Sequence, residues 1–568
     1  MKGIGVSSGI GIGKALLVED HSIEYTPKQI TDTAAEKSRF REAVEKFCCD
    51  TQKQADALRK TAGDKEAEIL SGHISIIKDP FLQGEIEKLI DGGQCAEAAL
   101  DSICDMFIQL FSATDDDMTI QRAADVRDVR TGVLEILLGI SEVRLPDAPA
   151  GTVICVKELT PSMIAGINKD NIVGILTETG STTSHSAILA RVLEIPAVMS
   201  VPDMMATVRS GERVIIDGSS GDVILSPAPA QLKDYSEKRE RLDHERRELE
   251  GFRGKATVSA DGTKYELVCN IGKPEDAVKA LEFDGEGVGL FRTEFLFMDK
   301  TSVPTEDEQF NEYKRAAMIL KNKPLIIRTL DIGGDKELSY LGLEKEDNSF
   351  MGLRAIRYCL KNPDLFRTQL RAILRASAFG NISIMFPLIT CVEEIREGKA
   401  LVEELKSELS AEGIEYDKNI KIGIMAETAA AGITADLLAK ESDFFSIGTN
   451  DLTGYTMAAD RGNSNVSYLY SALQPGVLRM IRSIITAARE KNIPVGMCGE
   501  AAADPMMIPL LISFGLTEFS VSAPSVLKVR KCISEWTKEK ADEIAENVMS
   551  LSTEKEIRDY LSSVIKTI

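Results

Sequence analysis

The run Thr179-Gly-Ser-Thr-Thr-Ser-His185-Ser-Ala-Ile-Leu-Ala-Arg191 sets one imidazole between two apolar stretches. Ile172-Val-Gly-Ile-Leu176 before it reads as a buried strand, and Ile188, Leu189, Val192 and Leu193 after it recur with a helical period. The turn therefore opens a helix, with Thr183 or Ser184 available as its N-cap. Unpaired N–H groups and the positive end of the dipole gather at a helix N-terminus, so a phosphoryl group can be held there. An imidazole with an ordinary pKa near ~6.5 is mostly neutral at neutral pH and can serve as a nucleophile. On this run alone, a single histidine in a capped turn is the commoner reading.

A second set of reactive residues follows strand-like runs in the last part of the chain. Phe291 is followed by Arg292-Thr-Glu294, and Arg328 by Thr-Leu-Asp331. Further on stand Met425-Ala-Glu427, Gly448-Thr-Asn450-Asp451, Asp460-Arg461 and Met497-Cys498-Gly-Glu500. Arginines repeated at strand exits suit bidentate capture of carboxylate and phosphate. Glu427 and Asp451 are hard oxygen donors of the kind Mg²⁺ prefers, with positions left for substrate oxygens. A salt-bridge network between these carboxylates and arginines is the alternative.

The elements that must position these groups fall into blocks. From residue 257 onward there are eight strand-like runs: Leu267–Ile271, Gly287–Phe291, Leu325–Thr329, Ile382–Phe386, Ile422–Ala426, Phe444–Ile447, Val495–Cys498 and Glu518–Val521. Helical patterns separate most of them, which predicts a TIM (β/α)8 barrel with its chemistry at the C-terminal strand ends. Helical periods over 31–61, 64–78, 80–91, 95–112 and 119–139 predict a bundle. Short strands at Val153–Val156, Ile172–Leu176, Arg213–Ile216 and Asp222–Leu225 predict a compact α/β domain, with Asp217–Gly221 as a hairpin turn. The Gly-rich start, residues 3–18, lacks both GxGxxG and a phosphate-loop Lys-Ser/Thr pair and is expected to form an edge strand or loop. The expected organisation is a multidomain α/β chain: an α/β domain from residues 1–23 and 144–229 around a helical insert 24–143, a charged linker helix 230–256, and a barrel 257–568. Asp234–Lys238 and Glu237–Arg241 have the i,i+4 spacing that would support the linker helix.

Composition narrows the partners. A formal charge of −22 argues against nucleic acid or anionic membranes as general partners, though not against an anionic substrate met by local arginines. Ten cysteines, including Cys48-Cys49 but no CxxC, fit a reduced cytoplasm better than a disulfide framework. The start lacks a signal-peptide apolar region, and no run approaches the ~18 apolar residues of a membrane span.

Thr-Ser-His185-Ser-Ala-Ile-Leu-Ala-Arg191 resembles the phosphohistidine motif of enzymes that exchange phosphoryl groups with phosphoenolpyruvate. These include Enzyme I of the bacterial sugar phosphotransferase system, pyruvate phosphate dikinase and phosphoenolpyruvate synthase. Gly289–Asp299, Arg328–Lys336, Arg371–Ser377, Phe444–Asp451 and Gly496–Glu500 resemble the phosphoenolpyruvate-binding barrel of the Enzyme I family, and Ser71–Pro80 its carrier-docking helices. The resemblance covers nearly the whole chain. It implies a phosphotransferase in which His185 is transiently phosphorylated and Cys498 protonates the enolate of pyruvate. Arg292, Arg328 and Arg461, with Asn450 and Asp451, would hold the substrate, and Glu427 and Asp451 would hold Mg²⁺. It further implies the small carrier protein HPr as partner and a homodimer through the barrel. His73 is expected to be structural or interfacial. A dikinase or synthase would need a large ATP-binding domain ahead of His185, where this chain has a helical block. A phosphocarrier that no longer turns over phosphoenolpyruvate is the reading from another class. The family pattern is left at Thr179 (usually Gly), Ser349 and Ala429 (usually Pro), Gly454 (usually Gln) and Gln474 (usually His), and none of these is a proposed ligand or acid.

Overall fold

The computed structural model describes residues 1–568 apart from 19–24, 62–63, 113–116, 141–147, 160–162, 164–166, 169, 181–184, 299, 334–337, 344–345 and 566–568. His21, Asp115, Asp116 and the two candidate N-caps Thr183 and Ser184 therefore lie outside the described residues. The chain divides into two compact units, Met1–Arg246 and Arg247–Ile568.

The first unit is built on a seven-stranded sheet. Its strands are β1 (Ile4–Ser7), β2 (Ile10–Val18), β3 (Thr152–Val156), β4 (Ile172–Thr177), β5 (Ala197–Met199), β6 (Arg213–Asp217) and β7 (Asp222–Leu225). They lie in the order β1-β5-β4-β3-β2-β6-β7. β3 is buried at every residue, as expected of a continuous apolar run covered on both faces. The Gly-rich start divides in two. β1 is an edge strand as expected, but β2 is interior, parallel to β3 and antiparallel to β6. Glycine suits that place, because a Cβ on Gly11 or Gly13 would come within 2.3 Å of a carbonyl oxygen.

Between β2 and β3 run five helices: α1 (Thr33–Thr61), α2 (Asp64–Ile77), α3 (Pro80–Asp91), α4 (Ala96–Ser112) and α5 (Asp117–Leu138). Phe40, Val44, Ile86, Leu100 and Val129 form their common core. A second core joins Leu58 and Leu70 of α1 and α2 to Ile154, Ile175, Leu189 and Ala190 of the sheet region. His73 is buried between Asp125 and Asp128 at 3.4 and 3.5 Å. Burial opposes its charge, but the two carboxylates outweigh that and raise its pKa. This is a structural role.

The charged segment after β7 forms one helix, Pro229–Glu250, with no buried residue. The two expected i,i+4 pairs are replaced by other partners. Lys238 reaches Asp217 at 2.6 Å, and Lys233 stands 3.9 Å from Glu237. Asp217 is nearly buried and holds two backbone N–H groups of its hairpin turn, so it is the better-organised acceptor.

The second unit is a closed barrel of eight parallel strands. They are β8 (Glu266–Ile271), β9 (Val288–Arg292), β10 (Pro324–Arg328), β11 (Asn381–Phe386), β12 (Lys421–Ala426), β13 (Phe445–Ile447), β14 (Val495–Met497) and β15 (Glu518–Val521). Each neighbours the next in sequence, and β15 closes onto β8. All eight fall where the sequence placed them, within one or two residues. A large apolar core lies between strands and helices. A separate small cluster, Leu290, Ile326, Met385, Met425, Phe444 and Cys498, takes one residue from each of six neighbouring strands or strand ends and fills the barrel's interior.

Candidate active site

Arg292 and Arg328 end β9 and β10 and lie opposite one another in register. Like charges on facing strand positions repel, so the pair needs anions around it. Arg328, only 6% exposed, gives Nη2 to Glu294 at 2.7 Å and holds Nη1 3.1 Å from Asp331. Burial opposes its charge, and Glu294, Asp331 and Glu427 more than offset that, so it stays a cation. Arg292 stacks over Phe295 with its guanidinium carbon 5.0 Å from the ring centre. The Nε of both arginines is buried and has no hydrogen-bond partner among the described residues.

A further arginine completes the site. Arg354 donates Nε to Asp331 Oδ1 at 3.0 Å and Nη2 to Asp451 Oδ2 at 2.8 Å. It also faces the Tyr455 hydroxyl at 3.4 Å and stacks on Phe350. Arg328, Asp331, Arg354 and Asp451 thus form one chain of alternating charge. The sequence signal for a binding arginine was a preceding strand, and Arg354 comes from a loop, so that signal passes over it.

Glu427 follows β12 and is 1% exposed. Its Oε1 accepts the Leu388 N–H at 2.7 Å. Its carboxyl is pushed up to about 8, first by burial and then by Asp451 and Asp331, against the pull of Arg328 and Arg354. The next residue, Thr428, is tied down by its hydroxyl to Ile389 O at 2.8 Å. Gly448 makes room for the carboxylate, since a Cβ there would stand 2.4 Å from Glu427 Oε2. Asp451 sits in the first turn of the helix Thr449–Met457 behind β13. The adjoining Asn450 is fixed by its carbonyl, which accepts the Tyr470 hydroxyl at 2.8 Å. Arg461 lies on the exposed loop beyond that helix, where its charge lowers the Tyr470 phenol that burial raises.

Cys498 follows β14 and is 8% exposed. Asn270 donates Nδ2 to its carbonyl oxygen at 3.0 Å. Burial pushes the thiol up to about 11, with the Ser446 hydroxyl and Arg328 pulling the other way. Below that pH it remains protonated, which suits an acid. Behind the site, Gln369 is fully buried, accepts Leu330 N–H at 2.9 Å and donates to Thr293 and Tyr313 at 3.2 Å. Thr293 in turn donates to Arg328 O at 2.8 Å, so this network fixes the backbone that carries the guanidinium.

The described residues contain no group of three or more metal-ligating side chains. Three carboxylates, Asp331, Glu427 and Asp451, nonetheless meet two guanidiniums, and burial, with Asp451 and Asp331 adding to it, disfavours the charge on Glu427. A divalent cation on Glu427 and Asp451 would relieve it, with the remaining ligands coming from substrate and water. The residues fit the metal.

His185 lies in the other unit, as the first residue of the helix His185–Val192, and its ring is outside the described part of the structure. The helix is anchored by Arg191, whose Nε donates to Val6 O at 2.9 Å, and by the Ser7 hydroxyl on Ala190 O at 3.3 Å. Ahead of it, Gly180 adopts φ +127°, while Thr179 has no positive φ. The change from the family's Gly-Gly therefore falls on the residue that does not need glycine.

Three family descriptions match the chain: "PEP-utilising enzyme, N-terminal" over residues 2–122, "PEP-utilising enzyme, mobile domain" over 148–221 and "PEP-utilising enzyme, PEP-binding domain" over 246–537. The phosphoenolpyruvate-protein phosphotransferase of Priestia megaterium is 44% identical over 99% of this chain and 98% of its own length. That of Bacillus subtilis (strain 168) is 45% identical over the whole of both chains. A solution structure titled as Enzyme I (nEIt) is 33% identical, with a TM-score of 0.38, over 43% of this chain and 99% of that one.

Proposed function

Since the chain belongs to the PEP-utilising enzymes, with phosphoenolpyruvate-protein phosphotransferases as its full-length relatives, we propose that it moves the phosphoryl group of phosphoenolpyruvate onto His185 and from there to a small carrier protein, HPr. The observation that carries the site is the pair of in-register arginines, Arg292 and Arg328, each with a buried unpartnered Nε at a barrel strand end. Such a pair matches a small dianion that carries both phosphate and carboxylate. Arg461 and Asn450 complete its binding, and Arg354 positions Asp451.

The His185 imidazole attacks phosphorus, and the bond from phosphorus to the enol oxygen breaks. The enolate takes the Cys498 thiol proton at its methylene carbon and leaves as pyruvate, and the thiolate recovers its proton from solvent. Glu427 and Asp451 would hold Mg²⁺, which supplies charge neutralisation to the phosphoryl oxygens. Phospho-His185 then gives the group to the carrier. The chain works in the cytoplasm as a homodimer joined through the barrel half. No described helix is long and apolar enough to cross a membrane.

The test is pyruvate release from phosphoenolpyruvate with and without carrier, together with acid-labile label on the protein. One pyruvate per chain without carrier and continuous release with it are expected. His185→Ala should abolish the label while leaving phosphoenolpyruvate binding intact. Label that persists in this variant, on His21, His73 or His244, would move the nucleophile elsewhere.

A further inference from the structure

The barrel's other end has a cavity of about 1310 Å³ among the residues that begin its strands. Glu518, the first residue of β15, lines it and is buried. Its Oε1 lies against two glycines: a Cβ on Gly496 would stand 2.5 Å from it and one on Gly289 2.8 Å. Glycine on the adjacent β14 and on β9, the second strand round on the other side, thus leaves room for one carboxyl in the barrel's interior. No hydrogen bond or ion pair joins the Glu518 carboxyl to any described residue. Its in-register neighbour on β8 is Glu266, a second acid.

Burying an unpartnered carboxyl is costly, and a like charge on the facing position adds to the cost. Burial pushes Glu518 up to about 8, with Glu266 adding to it, so it is mainly the neutral acid at neutral pH. The other acid on the inner wall, Glu286, is already engaged by the Thr257 hydroxyl at 2.8 Å and the Leu267 N–H at 3.1 Å. Lys264, Lys421, Arg489 and Glu490 also border the cavity, on exposed positions. Tyr265 and Phe444 add aromatic faces. The lysines and the arginine stand on exposed positions, while the buried polar group is the Glu518 carboxyl, with Glu266 beside it in register. A cation relieves both, and aromatic faces favour it.

We propose that this cavity at the N-terminal end of the barrel binds a small primary amine, its ammonium group paired with the Glu518 carboxylate. Because the acid must ionise to make that pair, each bound ammonium sends the Glu518 proton to the buffer. The inference uses neither His185 nor phosphoenolpyruvate, so its test runs without substrate.

Titration calorimetry of the full chain with ethylamine and with 1,4-diaminobutane, at pH 7 in two buffers of different protonation enthalpy, reads affinity and proton release together. Saturable binding with release of close to one proton is expected, and the proton count should fall toward zero at pH 9, where Glu518 is already ionised. Glu518→Gln, which keeps volume and packing, should weaken binding at least tenfold while its melting temperature stays at or above that of the parent. Absence of binding at millimolar amine, binding without proton release at pH 7, or unchanged affinity in a folded E518Q protein would each overturn the proposal. The wild-type proton count decides the matter even if the variant does not fold.

Discussion

Arg328 commits two nitrogens to Glu294 and Asp331 and keeps Nε, whereas Arg354 is shared between Asp331 and Asp451. The first can therefore still hold a substrate while the second mainly orders a carboxylate. Glu427→Ala or Asp451→Ala should raise the Mg²⁺ requirement and depress phosphorylation by phosphoenolpyruvate more than exchange with phosphorylated carrier. Titrating both half-reactions checks this, and equal losses would favour a purely structural ion network. Cys498→Ala should slow pyruvate formation by about 10²–10⁴-fold, the usual worth of a positioned acid, and spare carrier exchange. The thiol's pKa is raised to about 11, so the acid form persists below that pH and fails only above it. A pH profile of pyruvate formation should show no alkaline limb from this group near the ordinary ~8.5. Such a limb that disappears in Cys498→Ala would contradict the burial seen here.

At the scale of elements, the chain leaves β4 through a turn at Thr179 and Gly180 that depends on the glycine. Its φ of +127° is a conformation L side chains rarely adopt, and its carbonyl accepts the Ser200 hydroxyl at 2.5 Å. Gly180→Ala should cost about 1–3 kcal/mol of backbone strain, lower the melting temperature by several degrees and slow phosphorylation of His185. Calorimetry with a phosphorylation time course reads both, and an unchanged time course would separate this turn from the nucleophile. The helices α1–α5 were legible in the sequence because many residues repeat the same signal, and the eight barrel strands, though short, because apolar runs recur between helical patterns. What escaped had short or non-local causes. β5 is three residues long and shows no alternation. Arg354 has no strand before it, and Lys238 found Asp217 across the fold in place of its helical neighbour. The buried Gln369 looks, in sequence, like any polar residue on the helix Pro363–Ala376, and its bonds appear only once β9 and β10 are beside it.

At the scale of the whole molecule, each of the two units has its own apolar cores, so cutting near Arg246 separates folding units. If the barrel half carries the dimer contact, a fragment of residues 1–246 should sediment as a monomer and still exchange phosphate with phosphorylated carrier. A stable dimer of that fragment would reject the assignment. One feature of its first unit also governs how the chain reaches this state. β2 and β3 are adjacent parallel strands, yet residues 19–151 stand between them in sequence, and Arg39 near the start of α1 donates to Leu137 O near the end of α5 at 3.1 Å. Helical contacts are local and form fast, while pairing β2 with β3 must close a long loop. A completed α1–α5 bundle brings those two strands' ends together in advance. During synthesis, the N-terminal strands must then wait unpaired until the bundle has formed and β3 has emerged, and refolding should show helix signal well before sheet signal. A lesion such as Arg39→Ala would prolong that exposed interval and lower yield through aggregation, with little effect on the activity of the molecules that do fold.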